Sequence, residues 1–282
     1  MSVSLVNDRL NGGIEASLSD ADYLVRVRDV TLQYKTPQHL VTATYKVSCS
    51  VAQGDRYVIL GPSGCGKSTL LKAIGGFIQP VGGSIVVNGR EVSGPGPDRM
   101  MVFQEFEQLM PWKTVRQNIL FPIKMTGKYR GKEAEERVRR AIEKVNLTKF
   151  ADVYPHMLSG GMKMRVAIAR AMALEPDVLL MDEPFAALDA LTRRNMQEEL
   201  LALWDQLGFT MLFVTHSIEE AIVVGSRILI LSPHPGRVRA ELEAGDLRYG
   251  DIDSPAFGAL SRRIQDLLFG SSMRTGAPHA DH

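Results

Sequence analysis

The chain has 282 residues, of which 45% are hydrophobic and 23% charged, a composition that fits one large globular domain or two smaller ones. A formal net charge of +1 lacks the strong basicity that would predict nucleic-acid binding. No apolar run approaches the roughly 18–20 residues that span a bilayer. Two cysteines are too few for a disulfide framework, so we expect reduced thiols in a cytosolic protein.

The first part of the chain predicts a tail followed by short strands. Residues 1–22 show no clear periodicity and no apolar secretory segment, so we expect a loose tail there. Apolar, β-branched runs then predict strands over 23–30, 42–51, 57–60, 84–88 and 100–103. A helix is predicted directly after Thr69, because the composition changes there to good helix formers.

The second part predicts helices and then an alternation of strands and helices. An inserted helical region is indicated by apolar residues at helical spacing within 133–146, namely Ala134, Val138, Ala141, Ile142 and Val145. Further helices are predicted over 161–174 and 190–207, from Ser217, and near 257–269, and further strands over 178–181, 211–215 and 227–231. Such alternation predicts an α/β fold with a largely parallel sheet, which binds ligands at the carboxyl ends of its strands.

A glycine-rich stretch follows the predicted strand 57–60 and fits the pattern G-x-x-x-x-G-K-[ST], since it reads Gly61-Pro62-Ser63-Gly64-Cys65-Gly66-Lys67-Ser68-Thr69. Between a strand and a helix, its glycines let backbone N–H groups surround phosphates, and the helix start adds a partial positive charge. Lys67 would reach the β- and γ-phosphates, and the Ser68 hydroxyl would bind Mg²⁺. This phosphate loop predicts a nucleoside triphosphate site.

Two adjacent carboxylates end the predicted strand 178–181. Asp182 could hold Mg²⁺ beside the phosphate loop, and Glu183 could orient and deprotonate an attacking water. Such general-base help is worth about 10²–10⁴ in rate. Successive side chains point opposite ways along a strand, so the two acids can have different tasks. A pair of solvated acids is the alternative, and the phosphate loop disfavours it.

A second candidate anion site precedes the predicted helix 161–174, in the sequence Leu158-Ser159-Gly160-Gly161. A hydroxyl, two glycines with exposed N–H groups and a helix dipole could together bind phosphate. Because the chain already has one triphosphate site, this segment makes most sense if it serves the ATP of a partner subunit. A simple helix cap is the alternative.

Taken together, these motifs resemble those of the ATP-binding subunits of ABC transporters, in the same order along about residues 23–240. Leu158-Ser159-Gly160-Gly161-Met162 is similar to the signature motif of that family, and Ala187-Leu188-Asp189 is similar to the loop that follows the Glu183 strand. The resemblance also implies roles for single residues: adenine stacking for Tyr34, the Mg²⁺ shell and the membrane-subunit contact for Gln104, and a γ-phosphate contact for His216.

The resemblance implies a P-loop NTPase core of the RecA-like type, with an N-terminal antiparallel β subdomain and an inserted α-helical subdomain. It implies an ATPase domain over 23–244, a helical insertion at about 105–172, and an extension over 245–282 whose role stays open. ATP and Mg²⁺ are the implied cofactors. A second ATP-binding subunit would complete the sites, with transmembrane permease subunits at the cytoplasmic face of the inner membrane, where this protein would be peripheral, and indirectly a solute-binding protein.

The signature often ends in glutamine, but this chain has Met162 there, and a methionine side chain cannot make an amide hydrogen bond. Residues 159–161 nevertheless keep their anion-binding groups. The methionine form, together with 94–104 and 109–115, resembles importers of nitrate, sulfonate, taurine or bicarbonate. The alternatives are an ABC ATPase that acts on nucleic acid or ribosomes, and a nucleotide-dependent regulatory module. Trp112 is either an interface anchor or a core residue.

Overall fold

The computed structural model describes residues 23–35, 39–102, 109–186 and 188–270. Its strands are β1 (Tyr23–Lys35), β2 (Leu40–Ala52), β3 (Arg56–Leu60), β4 (Gly82–Val87), β5 (Arg90–Glu91), β6 (Arg99–Val102), β7 (Val178–Asp182), β8 (Thr210–Thr215), β9 (Arg227–Leu231) and β10 (Val238–Glu243). Its helices are α1 (Lys67–Ile74), α2 (Val115–Thr126), α3 (Gly131–Lys144), α4 (Gly160–Met172), α5 (Ala190–Leu207), α6 (Ile218–Val224) and α7 (Pro255–Phe269). Within these ranges, none of the helices combines the length and the apolar character needed to cross a membrane.

The strands form two sheets of different kinds. The first sheet is antiparallel, with the strand order β2-β1-β4-β5. The second sheet has the order β10-β9-β3-β8-β7-β6 and is parallel except for β10 at its edge. Every residue of β3 and of β8 is buried, as expected for central parallel strands that are covered on both faces.

Two hydrophobic clusters lie on the two faces of the parallel sheet. One joins the antiparallel sheet and α1 to it, with Val27, Ile59 and Leu70 among its members. The other joins the remaining helices to the sheet and includes Val58 and Phe213. Side chains alternate along a strand, so the neighbours Val58 and Ile59 serve opposite clusters. β3 is therefore held from both sides, which fixes the start of the loop that follows it.

Three helices, α2 to α4, pack against one another beside the parallel sheet. α2 begins at a capping box, in which Thr114 and Gln117 satisfy each other's backbone N–H groups. α3 buries one face, which consists of Ala134, Val138, Ala141 and Ile142. A salt bridge of 2.8 Å between Arg165 and Glu199 connects α4 to α5.

The C-terminal segment, which comprises residues 245–270, packs against the part of the molecule that holds the parallel sheet. α7 packs against α6 and β9, and its Ile264 is fully buried. Arg56, the first residue of β3, is also fully buried and donates a hydrogen bond to the carbonyl of Val224. Its guanidinium lies 4.2 Å from the centre of the Trp204 ring and 2.8 Å from the carboxylate of Asp246. The start of β3 is thus tied to residues beyond β10.

The predicted α/β fold is confirmed, with its largely parallel sheet, its antiparallel β region and its inserted helices. The bounds of α5 and β9 agree with the prediction. Two strands were not predicted: β5, which has only two residues, and β10, in which apolar and charged residues nevertheless alternate. The predicted tail over 1–22 lies outside the described residues.

Candidate nucleotide-binding site

Three neighbouring strands of the parallel sheet position the candidate site residues. The phosphate loop follows β3, His216 follows β8, and Asp182 and Glu183 stand at the end of β7. β8 lies between the other two strands, with Val214 opposite Asp182. The carboxyl ends of these strands therefore meet at one edge of the sheet, which is where open α/β sheets bind their ligands.

The phosphate loop needs glycine for its backbone shape and for its close approach to β2. Gly64 and Gly66 have φ angles of +79° and +95°, in the left-handed region that favours glycine. A Cβ added to Gly66 would lie only 2.6 Å from the carbonyl oxygen of Ala43, so no other residue fits there. α1 begins at the next residue, Lys67, so the helix N-terminus faces the loop.

Both cysteines, Cys49 and Cys65, are buried free thiols. Burial raises the pKa of the Cys65 thiol above its ordinary value, and burial raises the pKa of Cys49 to about 12. Both groups are therefore neutral near pH 7. Cys65 consequently adds no negative charge to the loop that is predicted to bind phosphates.

Lys67 extends back over the phosphate loop. Its ammonium donates hydrogen bonds to the carbonyl oxygens of Gly61 at 2.9 Å and of Pro62 at 3.1 Å. The same nitrogen lies 3.8 Å from the carboxylate of Glu183, and the side chain is only 4% exposed. A compact positive charge in this place is suited to bind phosphate oxygens.

A hydroxyl and a carboxylate meet where α1 approaches the end of β7. Ser68 Oγ donates a hydrogen bond of 2.7 Å to Asp182 Oδ1. Mg²⁺ is usually held by one or two carboxylates together with substrate phosphates and water, so these oxygen donors fit a magnesium–nucleotide complex. In the described ranges there is no cluster of three or more His, Cys, Asp or Glu side chains that could hold a metal without a substrate.

Glu183 and His216 form a close pair at the same edge of the sheet. His216 Nδ1 lies 3.0 Å from Glu183 Oε2. The backbone of Glu183 has a φ angle of +43°, and its N–H group donates to the carbonyl of Val214 at 3.1 Å. A non-glycine residue in the left-handed region is strained, and such strain is concentrated at functional sites. The pair can act as a base with an orienting partner.

A cleft lies beside the phosphate loop, and Tyr34 from the end of β1 forms part of its wall. The Tyr34 side chain is 49% exposed, so its ring can be reached from solvent. An accessible aromatic face next to a phosphate site can stack on a nucleotide base. The residues that line the cleft are Tyr34, Ala43, Ser63, Gly64, Gly66, Lys67, Ser68, Thr69 and Glu183.

Replacing Tyr34 with alanine is expected to weaken ATP binding by about 1–3 kcal/mol, the usual contribution of one base–aromatic stack. Equilibrium titration with ATP measures the change. Tyr45→Ala is the matched control, because Tyr45 is an exposed aromatic residue of β2 that does not line the cleft. Equal affinity of the Tyr34 variant and the control would make Tyr34 an ordinary strand residue.

The second candidate anion site lies apart from this cleft. Ser159 is the N-cap of α4, and its Oγ accepts a hydrogen bond of 3.3 Å from the N–H group of Met162. A Cβ added to Gly161 would lie 2.5 Å from Cε of Met196, so glycine allows the start of α4 to approach α5. None of residues 159–161 lines the cleft. One chain therefore brings together the phosphate loop, the acids and His216, but not this segment.

The remaining predicted residues differ in what the structure says of them. Asp189 is the exposed N-cap of α5, and the hydrogen bond that its carboxylate accepts from Thr192 holds the pKa of the carboxyl below its usual value. Gln104 and Ala187 lie outside the described residues. Trp112 is 71% exposed, which excludes the alternative of a core residue.

Two charged side chains beside His216 were not predicted from the sequence. Arg193 from α5 and Glu220 from α6 line a small pocket together with Glu183 and His216. Glu220 stands three residues after Ser217, a spacing that is typical of a helix start. Ser217 Oγ indeed accepts from the N–H group of Glu220 at 3.3 Å, but the Glu220 carboxylate binds other partners.

The fold and this site together define a P-loop nucleoside triphosphatase. The family model described as ABC transporter matches residues 45–186, and the chain belongs to that family. It is an ATP-binding and ATP-hydrolysing subunit, as the sequence motifs predict. Its substrate is ATP, and this confirms the predicted class and activity.

Two similar proteins and one solved structure illustrate the relationship. A taurine import ATP-binding protein of Rhizobium johnstonii is 46% identical over 237 residues, which are 81% of this chain and 89% of that protein. A nitrate import ATP-binding protein of Synechococcus elongatus is 39% identical over 242 residues, 84% of this chain and 88% of that protein. The ATP-binding cassette MJ0796, a dimer in a post-hydrolysis state with ADP and Pi, matches with a TM-score of 0.63 and 32% identity, covering 78% of this chain and 98% of its own.

Proposed function

We propose that this protein hydrolyses ATP as one half of a dimer and thereby drives the import of a small solute of the taurine or nitrate class. The observation that carries the proposal is that Ser159 and its neighbours lie outside the cleft that the phosphate loop lines in the same chain. A second copy can supply this helix start to the exposed side of the nucleotide. The dimeric MJ0796 cassette and the two import subunits support the proposal.

In this proposal the nucleotide lies in the described cleft. Tyr34 stacks on adenine, the N–H groups of residues 61–69 surround the phosphates, and Lys67 binds the β- and γ-phosphate oxygens. Ser68, Asp182 and Gln104 would hold Mg²⁺, which neutralises charge on the phosphates when it is bound. The hydrogen bond of 2.7 Å between Ser68 and Asp182 supports this assignment, because it brings two oxygen ligands together.

Glu183 is the proposed general base. Its carboxylate accepts a proton from a water molecule as that water attacks the γ-phosphorus and the bond to ADP breaks. His216 lies 3.0 Å from the carboxylate, so it can orient Glu183 and contact the γ-phosphate at the same time. The backbone N–H group of Glu183 is hydrogen-bonded to the carbonyl of Val214. This supports the role, since a base that is already in position needs little rearrangement during the reaction.

The partner subunit is proposed to complete each site. Ser159, Gly160 and Gly161 of one subunit would bind the γ-phosphate held by the other, with Asp189 at the dimer contact. Closure of the dimer would exclude water and complete the set of charges around the phosphates before hydrolysis. Bound ATP would thus favour the closed dimer, and hydrolysis with phosphate release would favour the open one.

The proposed assembly has further parts. We infer that residues 23–244 form the ATPase domain, with the helical insertion at about 105–172, and that 245–282 form an extension. The region from Gln104 to Trp112 would contact transmembrane permease subunits, and the exposed Trp112 supports such a contact. The protein would then be peripheral at the cytoplasmic face of the inner membrane. A separate solute-binding protein would deliver the solute.

A mixing experiment tests the shared site. Lys67→Ala inactivates the phosphate loop, and Gly160→Asp places a carboxylate where the partner's γ-phosphate should bind. Each variant alone is expected to hydrolyse ATP poorly. A mixed dimer has one site in which the phosphate loop and the signature segment are both intact, so hydrolysis is expected to return when the two proteins are mixed.

Two results would contradict the shared site. One is near wild-type hydrolysis by Gly160→Asp alone, and the other is a mixture that stays as inactive as its parts. Analytical ultracentrifugation with ATP checks that mixed dimers form. The solute class is tested separately, by reconstituting the complete transporter and measuring whether taurine or nitrate stimulates its ATP hydrolysis.

A further inference from the structure

A buried series of hydrogen bonds runs from the C-terminal segment to the residue before His216. The hydroxyl of Tyr249 donates to Oε1 of Gln197, in α5. Nε2 of Gln197 donates to Oε1 of Glu220, in α6. Oγ1 of Thr215, the last residue of β8, donates to Oε2 of the same carboxylate. We call these four side chains the Tyr249–Thr215 series.

The interior of the series is almost completely buried, so little solvent is available to replace its hydrogen bonds. The exposed fractions of Gln197, Thr215 and Glu220 are 0%, 1% and 7%. A buried donor or acceptor that loses its partner stays unpaired, which is costly. Each carboxylate oxygen of Glu220 accepts one hydrogen bond, and the amide of Gln197 uses its oxygen on one side and its nitrogen on the other. The series therefore has one favourable arrangement.

The inner end of the series fixes the backbone around His216. Thr215 Oγ1 also accepts a hydrogen bond of 3.0 Å from the N–H group of Ser217, so one hydroxyl connects the residues on both sides of His216. Ser217 Oγ in turn accepts from the N–H group of Glu220 at 3.3 Å. His216 is the residue whose Nδ1 lies 3.0 Å from Glu183. A shift of Glu220 would therefore move the histidine against Glu183.

The outer end of the series is held by the C-terminal segment. The Arg194 guanidinium lies 4.8 Å from the centre of the Tyr249 ring. The neighbouring Arg248 forms a salt bridge of 3.0 Å with Asp205 in α5. The segment that carries Tyr249 is thus itself attached to α5. Neither Tyr249 nor Gln197 lines the nucleotide cleft.

We propose that Glu220 is a positioning residue for ATP hydrolysis, and that Tyr249 of the C-terminal segment acts on His216 through Gln197, Glu220 and Thr215. This inference rests on the proposed role of His216. The proposal gives the C-terminal segment a function, because the hydroxyl of Tyr249 is then coupled to the pair formed by His216 and the proposed base Glu183. None of the residues Tyr249, Gln197, Glu220 and Thr215 lines the nucleotide cleft, so we expect their loss to act mainly on the rate of hydrolysis.

The first experiment removes only the outer hydroxyl. Tyr249→Phe keeps the ring under Arg194 but cannot donate to Gln197. We expect kcat to fall by about 3- to 10-fold, the size of one lost hydrogen bond, with KM and the ATP dissociation constant unchanged. Tyr129→Phe is the matched control, since it removes a hydroxyl that binds Glu175 at 3.4 Å on the helical region. A kcat of Tyr249→Phe equal to that of the control would overturn the proposal.

The second experiment tests whether the residues act as one unit. In Glu220→Gln an NH2 group replaces one of the two carboxylate oxygens. Either Nε2 of Gln197 or the hydroxyl of Thr215 then faces a donor where it had an acceptor. We expect a larger fall in kcat than in Tyr249→Phe. The double variant with Tyr249→Phe should be no slower than Glu220→Gln alone. Multiplied losses would show separate effects and overturn the proposal. Thermal unfolding of each variant defines an assay temperature at which all of them are folded.

His216→Ala separates this inference from the proposed function. Wild-type hydrolysis in His216→Ala would remove His216 from the mechanism, and the present inference with it. If His216→Ala hydrolyses ATP slowly but Tyr249→Phe has the same kcat as its control, the result contradicts this inference and leaves the proposed function intact. If both hold, Tyr249→Phe is expected to cause no further loss in the His216→Ala background, because the series then has no histidine to position.

Discussion

Replacing Glu183 with glutamine is expected to leave ATP binding intact and to slow hydrolysis by about 10²-fold or more, the usual contribution of a general base. The amide has nearly the same shape as the carboxylate, so the neighbouring Lys67 and His216 keep their positions. It cannot accept a proton from the attacking water. Phosphate release under saturating ATP measures the rate, and ATP titration measures the binding.

The ATP-bound dimer should accumulate in the Glu183→Gln protein, because the step that opens it is slow. Size-exclusion chromatography with and without ATP detects this change. Glu219→Gln is the matched control, since Glu219 is an exposed carboxylate three residues after His216. Hydrolysis by Glu183→Gln at the rate of this control would remove Glu183 from the role of base.

Replacing Lys67 with alanine is expected to lower ATP affinity by about 10- to 100-fold, since a hydrogen bond to a charged group contributes roughly 1.5–3 kcal/mol. ADP affinity should fall less, because Lys67 is proposed to contact the β- and γ-phosphates and ADP has only one of them. Titration of the same protein with both nucleotides measures the difference.

Lys72→Ala provides the control for Lys67→Ala. Lys72 is a basic residue in the last turn of the same helix, α1, and does not line the cleft. Its loss should leave both affinities unchanged. An ATP titration of Lys67→Ala that coincides with that of Lys72→Ala would contradict the assignment of the phosphate loop.

The phosphate loop and the acids Asp182 and Glu183 are predicted because each stands at the end of a short buried strand, whereas His216 is predicted only through the resemblance to the ABC family. Where a parallel sheet is expected, the ends of its strands can be placed together without knowledge of the packing. The order of the strands was not predictable in this way. It decides that β8 lies beside both β3 and β7, and hence that His216 reaches Glu183.

Other features depend on contacts that no local pattern contains. The Tyr249–Thr215 series joins residues that are 52, 23 and 5 positions apart in the chain. A glutamine in an amphipathic helix such as α5 is usually exposed, yet Gln197 is fully buried. The edge strand β10 is a different case, because apolar residues at 238, 240 and 242 alternate with charged ones, and this period of two was overlooked.

The buried position of Arg56 links the stability of β3 to residues 245 and 246, which lie beyond β10. Arg56 opens the strand that leads into the phosphate loop, and its positive charge is matched by Asp246 and the carbonyl of Gly245. A protein shortened before residue 245 would keep the cation in the interior without these counter-groups. Removal of the residues from 245 onward is therefore expected to destabilise the start of β3, the strand that leads into the phosphate loop.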